Sequence, residues 1–248
     1  MNRLMKMTFQ YSNISLNEYP GEVSLVLYSP GCNMYCPYCF NKDLYNKKPI
    51  SFKQVKDAVD EHRDFISAVV LTGGEPLCNP QIDKIIKYCE DSGLKIKLNT
   101  NGLRPLDRKG PYKRSHVDYL HISLKDPTYC RCIRSSKYDW MWSTDLLEYS
   151  FVYSNTLMPK VLLNKWISYL NENISDDWWR FSDKWMKPDI FTISQLQVGD
   201  CLNPQYNDCT TPTREDLLEI APLFKHIPKE KLIIETKEFG RENILKKI

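Results

Sequence analysis

Short apolar runs of strand length alternate along the chain with stretches whose apolar residues recur every three or four positions. The first pattern predicts β-strands and the second predicts amphipathic helices. The predicted strands lie at residues 24–29, 67–72, 95–100, 119–125, 149–153, 190–194 and 231–236. The predicted helices lie at residues 51–62, 80–92, 159–172 and 211–224. This alternation predicts an α/β fold of about six βα units with parallel strands.

Three of the predicted helices carry start signals. Ser51, followed three residues later by Gln54, is typical of a capping box. Pro80 suits the first helical position of the second helix. Thr211 and Pro212 predict the start of the last helix.

Polar residues occupy one face of two successive predicted strands. Ile96 and Leu98 face one way in the strand at 95–100, and the strand at 119–125 repeats this alternation. A polar inner face predicts a barrel lumen occupied by a polar ligand, since a lumen is normally packed with apolar side chains. The alternative is an antiparallel sheet wetted on one side, which the intervening helices disfavour. The residues predicted to face inward are Lys97, Asn99, Asn101, His121, Ser123 and Lys125.

The length of 248 residues suits one α/β barrel or two small domains, and a hydrophobic content of 42% suffices for a core. We expect a single domain over residues 1–248. Within it, residues 1–21 are a polar and irregular N-terminal extension and residues 22–200 are the barrel core. Residues 201–248 supply a C-terminal helix and a short strand.

The charge balance does not indicate a polyanionic partner. The chain has 34 basic and 31 acidic residues, so neither nucleic acid nor an anionic membrane is indicated. We find no signal peptide in residues 1–15 and no stretch near the roughly 20 apolar residues of a membrane span. The nine cysteines, an odd number, favour thiols and metal sites over disulfides. We therefore expect a protein of a reducing, low-oxygen cytoplasm.

One short loop, residues 31–40, holds three cysteines at C-x3-C-x2-C spacing: Cys32, Cys36 and Cys39. Three thiolates can ligate a 4Fe–4S cluster and leave one iron open, whereas electron carriers and structural zinc sites use four ligands. The next cysteine is Cys78, far outside the loop. The spacing therefore predicts an iron kept open for an exchangeable ligand. The alternatives are buried apolar cysteines or part of a split zinc site.

A second motif, Gly73-Gly74-Glu75-Pro76, follows an apolar run at residues 68–71 that reads as a buried strand. Paired glycines at a strand end let the backbone approach a ligand closely. The alternative is an ordinary strand-to-helix turn.

Together the cysteine loop and this turn resemble the radical S-adenosylmethionine (radical SAM) superfamily. The resemblance implies a 4Fe–4S cluster on the three cysteines and S-adenosylmethionine (AdoMet) chelating the open iron through its amino and carboxylate groups. It implies that the backbone of Gly73, Gly74 and Glu75 contacts the AdoMet amino group and that Tyr38 lies near the adenine. The implied reaction is reductive cleavage of AdoMet to a 5′-deoxyadenosyl radical, which takes a hydrogen from a substrate carbon.

Residues 22–128 resemble in more detail the activating enzymes of glycyl-radical enzymes, of the anaerobic ribonucleoside-triphosphate reductase type. The C-terminal part, with Leu196-Gln197 and Pro212-Thr213-Arg214, is similar more loosely. The likeness implies a partial TIM barrel of six βα units, a glycyl-radical enzyme as protein substrate and a flavodoxin- or ferredoxin-type reductant. The motifs that carry it are Tyr19-Pro20-Gly21, Gly31-Cys32-Asn33, Thr72-Gly73-Gly74-Glu75-Pro76, Asn99-Thr100-Asn101-Gly102 and Ser123-Leu124-Lys125-Asp126-Pro127.

Several residues depart from the pattern of these activating enzymes. Asn99 and Ser123 stand where Asp is common, and in the family those carboxylates take part in a cation and AdoMet-carboxylate site. The loss of both charges argues against a bound cation. Phe40 stands where activators often have His. Asn101 and Lys125 are candidates for contacts with the AdoMet carboxylate or the substrate, or else are ordinary polar residues that fill the lumen.

Two alternative functions remain open from the sequence. One is a radical SAM enzyme that modifies a nucleoside, RNA or small molecule, as 7-carboxy-7-deazaguanine synthases do. Those synthases have a metal-binding Thr soon after the last cysteine, whereas this chain has Phe40-Asn41-Lys42. The other is a non-catalytic iron–sulfur electron carrier, against which the missing fourth local cysteine argues.

Four further cysteines could bind a second cluster. Cys130 and Cys132 follow the fourth predicted strand, and Cys201 and Cys209 follow the sixth. In a parallel barrel both loops lie at the C-terminal ends of the strands, so the four thiols could hold an auxiliary 4Fe–4S cluster. The alternative is thiols in surface loops. Four of the six tryptophans fall within residues 166–185, which indicates either a packed lid or a partner surface.

Overall fold

The computed structural model describes residues 12–39, 41–45, 47, 51–103, 117–124, 144–153, 163–164, 167–168, 188–196, 201–204, 207, 209–225 and 227–245. The chain divides into two compact units. The first comprises Met1–Tyr35, Asn41–His121 and Tyr138–Leu146, and the second comprises Cys36–Phe40, Ile122–Lys137 and Leu147–Ile248. The single domain expected from the sequence stays a prediction.

The described strands are ordered in the sheet as they are in the chain. They are β1 (Ser12–Ser15), β2 (Ser24–Ser29), β3 (Ala68–Gly73), β4 (Lys95–Thr100), β5 (Tyr119–Leu124), β6 (Leu146–Tyr153), β7 (Ile190–Gln195), β8 (Leu232–Thr236) and β9 (Gly240–Asn243). The α-helices are α1 (Phe52–His62), α2 (Ile82–Asp91) and α3 (Arg214–Ile220). None of the helices in the described part of the chain has the length and apolar character needed to cross a lipid bilayer.

The first unit contains three parallel strands joined by helices. β2 pairs with β3 and β3 with β4, so that Leu27 lies opposite Leu71 and Leu71 opposite Leu98. Each connection passes through a helix, as parallel strands require. The capping box predicted at Ser51 and Gln54 begins α1. The buried helix residues are Val55, Ala58 and Val59 of α1, and Ile82, Ile85, Ile86 and Cys89 of α2.

Helix α2 begins two residues later than predicted. Its first residue is Ile82, and Pro80 lies in the turn before it, where Asn79 Oδ1 accepts a hydrogen bond from Gln81 N at 2.9 Å. Burial raises the pKa of the Cys89 thiol on this helix to about 12. Cys89 is therefore a core residue, because a thiol that stays protonated is a poor nucleophile and metal ligand.

The second unit contains β6, β7 and β8 in parallel, with β9 antiparallel to β8. A largely buried ion pair crosses these strands, with Arg241 Nη2 donating to Glu148 Oε1 at 2.7 Å and to Thr192 Oγ1 at 3.1 Å. The Glu148 side chain is 1% exposed, so the pairing offsets the cost of burying its charge. Helix α3 begins with a capping box between Thr213 and Asp216.

The predicted α/β class with parallel strands is confirmed, and each predicted strand is present within a few residues of its expected limits. Two strands were missed: β1, inside the segment expected to be irregular, and β9. Both are short, polar edge strands paired antiparallel to a neighbour, so no apolar run marks them. The last helix is capped by Thr213 rather than Thr211. Of the predicted helix at 159–172, residues 163–164 and 167–168 are described and helical.

Candidate active site

The Gly-Gly-Glu-Pro turn is fastened to the base of the cysteine loop. Gly74 N donates a hydrogen bond to Ser29 O, and Glu75 N donates one to Gly31 O, each at 2.8 Å. A Cβ atom on Gly73 would lie 2.6 Å from Ser29 N, and one on Gly74 would lie 2.0 Å from Gly31 O. From the sequence, the paired glycines were expected to let a ligand approach the backbone. The structure shows that two backbone segments already require both glycines.

Glu75 joins the turn after β3 to the turn after β4. Its side chain is fully buried. Oε1 accepts hydrogen bonds from Leu77 N at 3.0 Å and Thr100 Oγ1 at 2.8 Å, and Oε2 accepts one from Asn101 N at 2.8 Å. These hydrogen bonds replace the water that the buried carboxylate has lost. The Glu75 side chain is therefore a structural link between the two turns.

Cys32 lies beside hydrogen-bond donors of the first unit. Met34 N donates to Cys32 Sγ at 3.4 Å. Asn101 Nδ2 donates to Asn33 Oδ1 at 2.8 Å and lies 4.0 Å from Cys32 Sγ. Asn101 Oδ1 accepts a hydrogen bond from Leu103 N at 3.0 Å, which fixes the orientation of the amide. N–H donors stabilise a metal-bound sulfur, so this environment suits a cluster-ligating cysteine.

Cys36 and Cys39 belong to the second unit, where their turn has its own support. Cys39 N donates to Cys36 O at 3.0 Å, which closes the turn. Leu202 N donates to Cys39 O at 3.1 Å, and Asn203 N donates to Pro37 O at 2.8 Å. The sequence analysis missed the part played by residues 202 and 203. Backbone donors leave no side-chain signature, so no signal in the sequence marks them.

The three cysteines of the loop fit a 4Fe–4S cluster. None of them forms a disulfide, and all three residues are partly exposed. Among the residues that the structure describes, no group of three or more His, Cys, Asp or Glu side chains could hold a metal ion. A cubane does not need three side chains around one ion, because its thiolates bind different irons. Tyr38, in the same turn, is also partly exposed.

A hydrogen-bonded chain of three side chains crosses the C-terminal ends of β3, β4 and the first half of β5. Asn99 Nδ2 donates to Thr72 Oγ1 at 3.4 Å, and Asn99 Oδ1 lies 3.2 Å from His121 Nδ1. Nδ1 is the donor in this pair because the amide oxygen can only accept. The shared face of these side chains agrees with the predicted alternation. Ser123 is partly buried in the part of β5 that belongs to the second unit, and Lys125 lies outside the described residues.

Two residues before Asn99, on the same face of β4, the ammonium group of Lys97 is bound by the protein itself. Lys97 is 4% exposed, and its Nζ donates to Glu18 O at 2.8 Å and lies 4.4 Å from the centroid of the Tyr119 ring. The Tyr19 ring packs edge-on against Tyr119 with 5.8 Å between centroids. Lys97 is therefore a structural residue, and the polar positions open to a ligand lie nearer the strand ends, around Asn99.

The cysteines proposed for a second cluster are only partly covered by the structure. Cys201 and Cys209 are buried, with exposed fractions of 1% and 7%, and Asn207 Oδ1 accepts a hydrogen bond from Cys201 N at 2.7 Å. These two thiols are thus not in the exposed surface positions of the alternative interpretation. Cys130 and Cys132 lie outside the described residues, as does Phe40, and the second cluster stays a prediction. The Trp-rich segment also lies outside them, apart from residues 167 and 168.

The α/β fold and the three-cysteine loop fastened to a glycine turn define an enzyme of the iron–sulfur class. A sequence model of the radical SAM superfamily matches residues 26–151, slightly more than half of the chain. The chain therefore belongs to the radical SAM superfamily. Enzymes of this superfamily use a 4Fe–4S cluster and AdoMet, and these are its cofactors.

Two similar proteins differ in how much of the chain they match. A Methanocaldococcus jannaschii protein, provisionally named a glycyl-radical enzyme activating enzyme, is 25% identical over 86% of this chain and 89% of its own length. A 7-carboxy-7-deazaguanine synthase of Hyperthermus butylicus is 31% identical over 35% of this chain and 38% of its own length. The first match extends over nearly the whole of both proteins, and the second covers about a third of each.

A solved structure similar to this one is that of TYW1 with a lysine-pyruvate adduct bound. It has a TM-score of 0.55 and 13% sequence identity, and the match covers 100% of this chain and 98% of that one. At this identity the likeness concerns the fold alone, and it confirms the partial TIM barrel.

Proposed function

We propose that this radical SAM enzyme is an activating enzyme that places a glycyl radical on a partner protein, such as an anaerobic ribonucleotide reductase. The observation that carries the proposal is the extent of the similarity to the Methanocaldococcus jannaschii relative, which spans 86% of this chain and 89% of that protein. The match to a deazaguanine synthase spans 35% of the chain, so it supports shared chemistry rather than a shared substrate.

In this proposal Cys32, Cys36 and Cys39 each bind one iron as thiolates and leave the fourth iron for AdoMet. When bound, the cluster and AdoMet supply a 5′-deoxyadenosyl radical able to abstract hydrogen. The backbone of residues 73–75 would contact the AdoMet amino group, and Tyr38 would lie near the adenine. A flavodoxin- or ferredoxin-type protein supplies the electron.

The uncharged side chain of Asn99 supports a site that works without a bridging cation. Asn99 donates one amide hydrogen to Thr72 and keeps a second that can reach the AdoMet carboxylate. An Asp at this position would be an acceptor only and would repel that carboxylate unless a cation lay between them. Asn99 therefore replaces a carboxylate–cation pair by a direct hydrogen bond, and we place Ser123 in the same role.

Anaerobic reconstitution of the full chain with iron and sulfide, followed by AdoMet and dithionite, tests the enzymatic step, and we expect 5′-deoxyadenosine. Adding a candidate glycyl-radical enzyme and recording its electron paramagnetic resonance tests the partner, and we expect a glycyl doublet. Formation of 5′-deoxyadenosine without a doublet on any glycyl-radical enzyme of the same organism would contradict the activating role.

A matched pair of cysteine variants tests the assignment of the ligands. We expect Cys36→Ala to lose the intact cluster and AdoMet cleavage, because the loop then offers two thiolates. Cys78→Ala removes a thiol of similar partial exposure outside the loop and should retain both properties. A normal cluster spectrum and AdoMet cleavage in Cys36→Ala would refute the assignment.

A second candidate function is radical modification of a nucleoside or another small molecule. Relatives named 7-carboxy-7-deazaguanine synthase support it through 31% identity over 91 residues. In the same assay, a modified nucleoside together with the absence of a glycyl doublet would favour this candidate. Membership of the radical SAM superfamily argues against the electron-carrier alternative. That alternative predicts no 5′-deoxyadenosine in the same assay.

A further inference from the structure

We infer that Asn101 is a positioning residue for the iron–sulfur cluster: it holds the Cys32 part of the loop in place and directs an amide hydrogen at the Cys32 sulfur. The inference rests on the proposed ligation of the cluster by Cys32. It gives Asn101 a different role from the contact with AdoMet or substrate that the sequence indicated.

The backbone N–H and both side-chain polar atoms of Asn101 have partners that fix their positions. The backbone N–H donates to Glu75 Oε2 at 2.8 Å, and Oδ1 accepts from Leu103 N at 3.0 Å. One amide hydrogen goes to Asn33 Oδ1 at 2.8 Å, and Nδ2 is 4.0 Å from Cys32 Sγ. The residue is 8% exposed. Both amide hydrogens are thus directed at the cysteine loop, so the amide cannot donate to AdoMet while these contacts hold.

The contact with Asn33 restrains the residue that follows Cys32. Asn33 is exposed, so water would otherwise solvate its side chain and allow it several rotamers. Anchoring Asn33 to the buried Asn101, which is itself tied to Glu75, restricts the backbone that carries the thiol. Glu75, Asn101 and Asn33 therefore connect the Gly-Gly-Glu-Pro turn to the first cluster ligand.

The second amide hydrogen acts on the sulfur itself. At 4.0 Å the Asn101 contact is longer than the 3.4 Å between Met34 N and Cys32 Sγ, so it is the weaker of the two. Hydrogen bonds to a ligating sulfur delocalise its negative charge and favour the reduced cluster. Loss of this donor should therefore make the cluster harder to reduce.

Asn101→Asp tests the two amide contacts, with Asn33 and with the Cys32 sulfur, while keeping the other hydrogen bonds of Asn101. Asp keeps the size of the side chain, the acceptor for Leu103 N and the backbone donor to Glu75. It removes both amide hydrogens and adds a negative charge beside Cys32. We expect the equilibrium constant for cluster reduction to fall by about tenfold, which is about 59 mV for one electron. The reduced cluster should also show altered g values in its paramagnetic resonance spectrum.

Two further variants complete the test. Asn33→Ala removes an acceptor from an exposed residue and so keeps the fold, and we expect chelators to extract its iron about tenfold faster. Asn243→Asp is the matched control, since Asn243 makes the same pair of contacts elsewhere: its Oδ1 accepts from Leu245 N at 2.9 Å and its Nδ2 donates to Glu230 O at 2.8 Å. It should leave potential, spectrum and iron retention unchanged.

The reduction potential of the cluster is measured without any partner protein. Failure of the inference about Asn101 can therefore be distinguished from failure of the proposed function. A wild-type potential and spectrum in Asn101→Asp, or wild-type iron retention in Asn33→Ala, would overturn the inference. An equal change in Asn243→Asp would do the same. If the variants show these shifts but the wild-type enzyme never forms a glycyl radical, the proposed function is contradicted and the role of Asn101 stands.

Discussion

Gly74→Ala introduces a steric conflict at the centre of the candidate site. The new Cβ would lie 2.0 Å from Gly31 O and 2.8 Å from Gly31 C, both of which are backbone atoms. Backbone cannot rotate away as the end of a side chain can, so the turn and the base of the cysteine loop would have to separate. The φ angle of Gly74 lies outside the left-handed region, so the requirement for glycine is steric alone.

The size of the effect follows from the contacts that this separation breaks. Ordinary contact begins at 3.4 Å, so the two segments must move apart by more than an ångström. That movement breaks the 2.8 Å hydrogen bonds from Gly74 N to Ser29 O and from Glu75 N to Gly31 O. Each contributes about 0.5–1.5 kcal/mol, and a polar group left unsatisfied costs about 1–3 kcal/mol. We expect the free energy of unfolding to fall by about 2–5 kcal/mol.

Urea denaturation of the apoprotein measures this loss, and iron per chain after anaerobic reconstitution measures the cluster. Gly93→Ala is the control, because Gly93 has φ +73° but no heavy atom within 4 Å of a Cβ placed there. Its cost is conformational, about 1–2 kcal/mol, and it should retain the cluster. An unfolding midpoint for Gly74→Ala equal to that of the wild type, together with full iron content, would refute the steric argument.

Glu75→Gln replaces one carboxylate oxygen by an NH2 group, which then faces an N–H or O–H donor. We expect the free energy of unfolding to fall by about 2–4 kcal/mol. An unchanged urea midpoint would contradict this. Burial, with a smaller contribution from Asp118, raises the pKa of Tyr19 from 10.0 to about 12. Protonated Tyr19 therefore contributes its full stability below pH 10, and this contribution is lost as the pH rises toward 12. The difference in unfolding midpoint between the wild type and Tyr19→Phe should change across that window and stay constant below it. A second cluster on Cys130, Cys132, Cys201 and Cys209 would give about eight irons per chain, falling to about four in Cys130→Ala/Cys132→Ala, whereas about four in the wild type would reject it.

The elements that repeat a short period along the chain were predictable from the sequence. Side chains alternate along a strand, so the sequence of residues 95–101 was enough to predict one apolar and one polar face. The structure shows that polar face in the contact between Asn99 and His121 on the next strand. The cysteine spacing likewise indicated the cofactor, because a three-thiolate loop suits few other metal sites.

The contacts that support the site were not predictable, because they join distant residues without any fixed spacing. Glu75 meets Thr100 and Asn101, which lie 25 and 26 residues further along the chain. The Lys97 ammonium group donates a hydrogen bond to the backbone oxygen of Glu18. The pattern along β4 could not show whether this group would bind a ligand or the protein. Such pairings depend on how the strands assemble, and the local pattern carries no information about them.

The cysteine loop is held by backbone contacts on both sides of Cys36. In the first unit, Glu75 N binds Gly31 O, and in the second, residues 202 and 203 bind Pro37 and Cys39. Fixing a residue costs about 1–2 kcal/mol, so contacts that order the loop before the metal arrives raise its affinity for the cluster. Backbone donors do not depend on the identity of the side chain. The support for two of the three proposed ligands therefore does not depend on which side chains residues 202 and 203 carry.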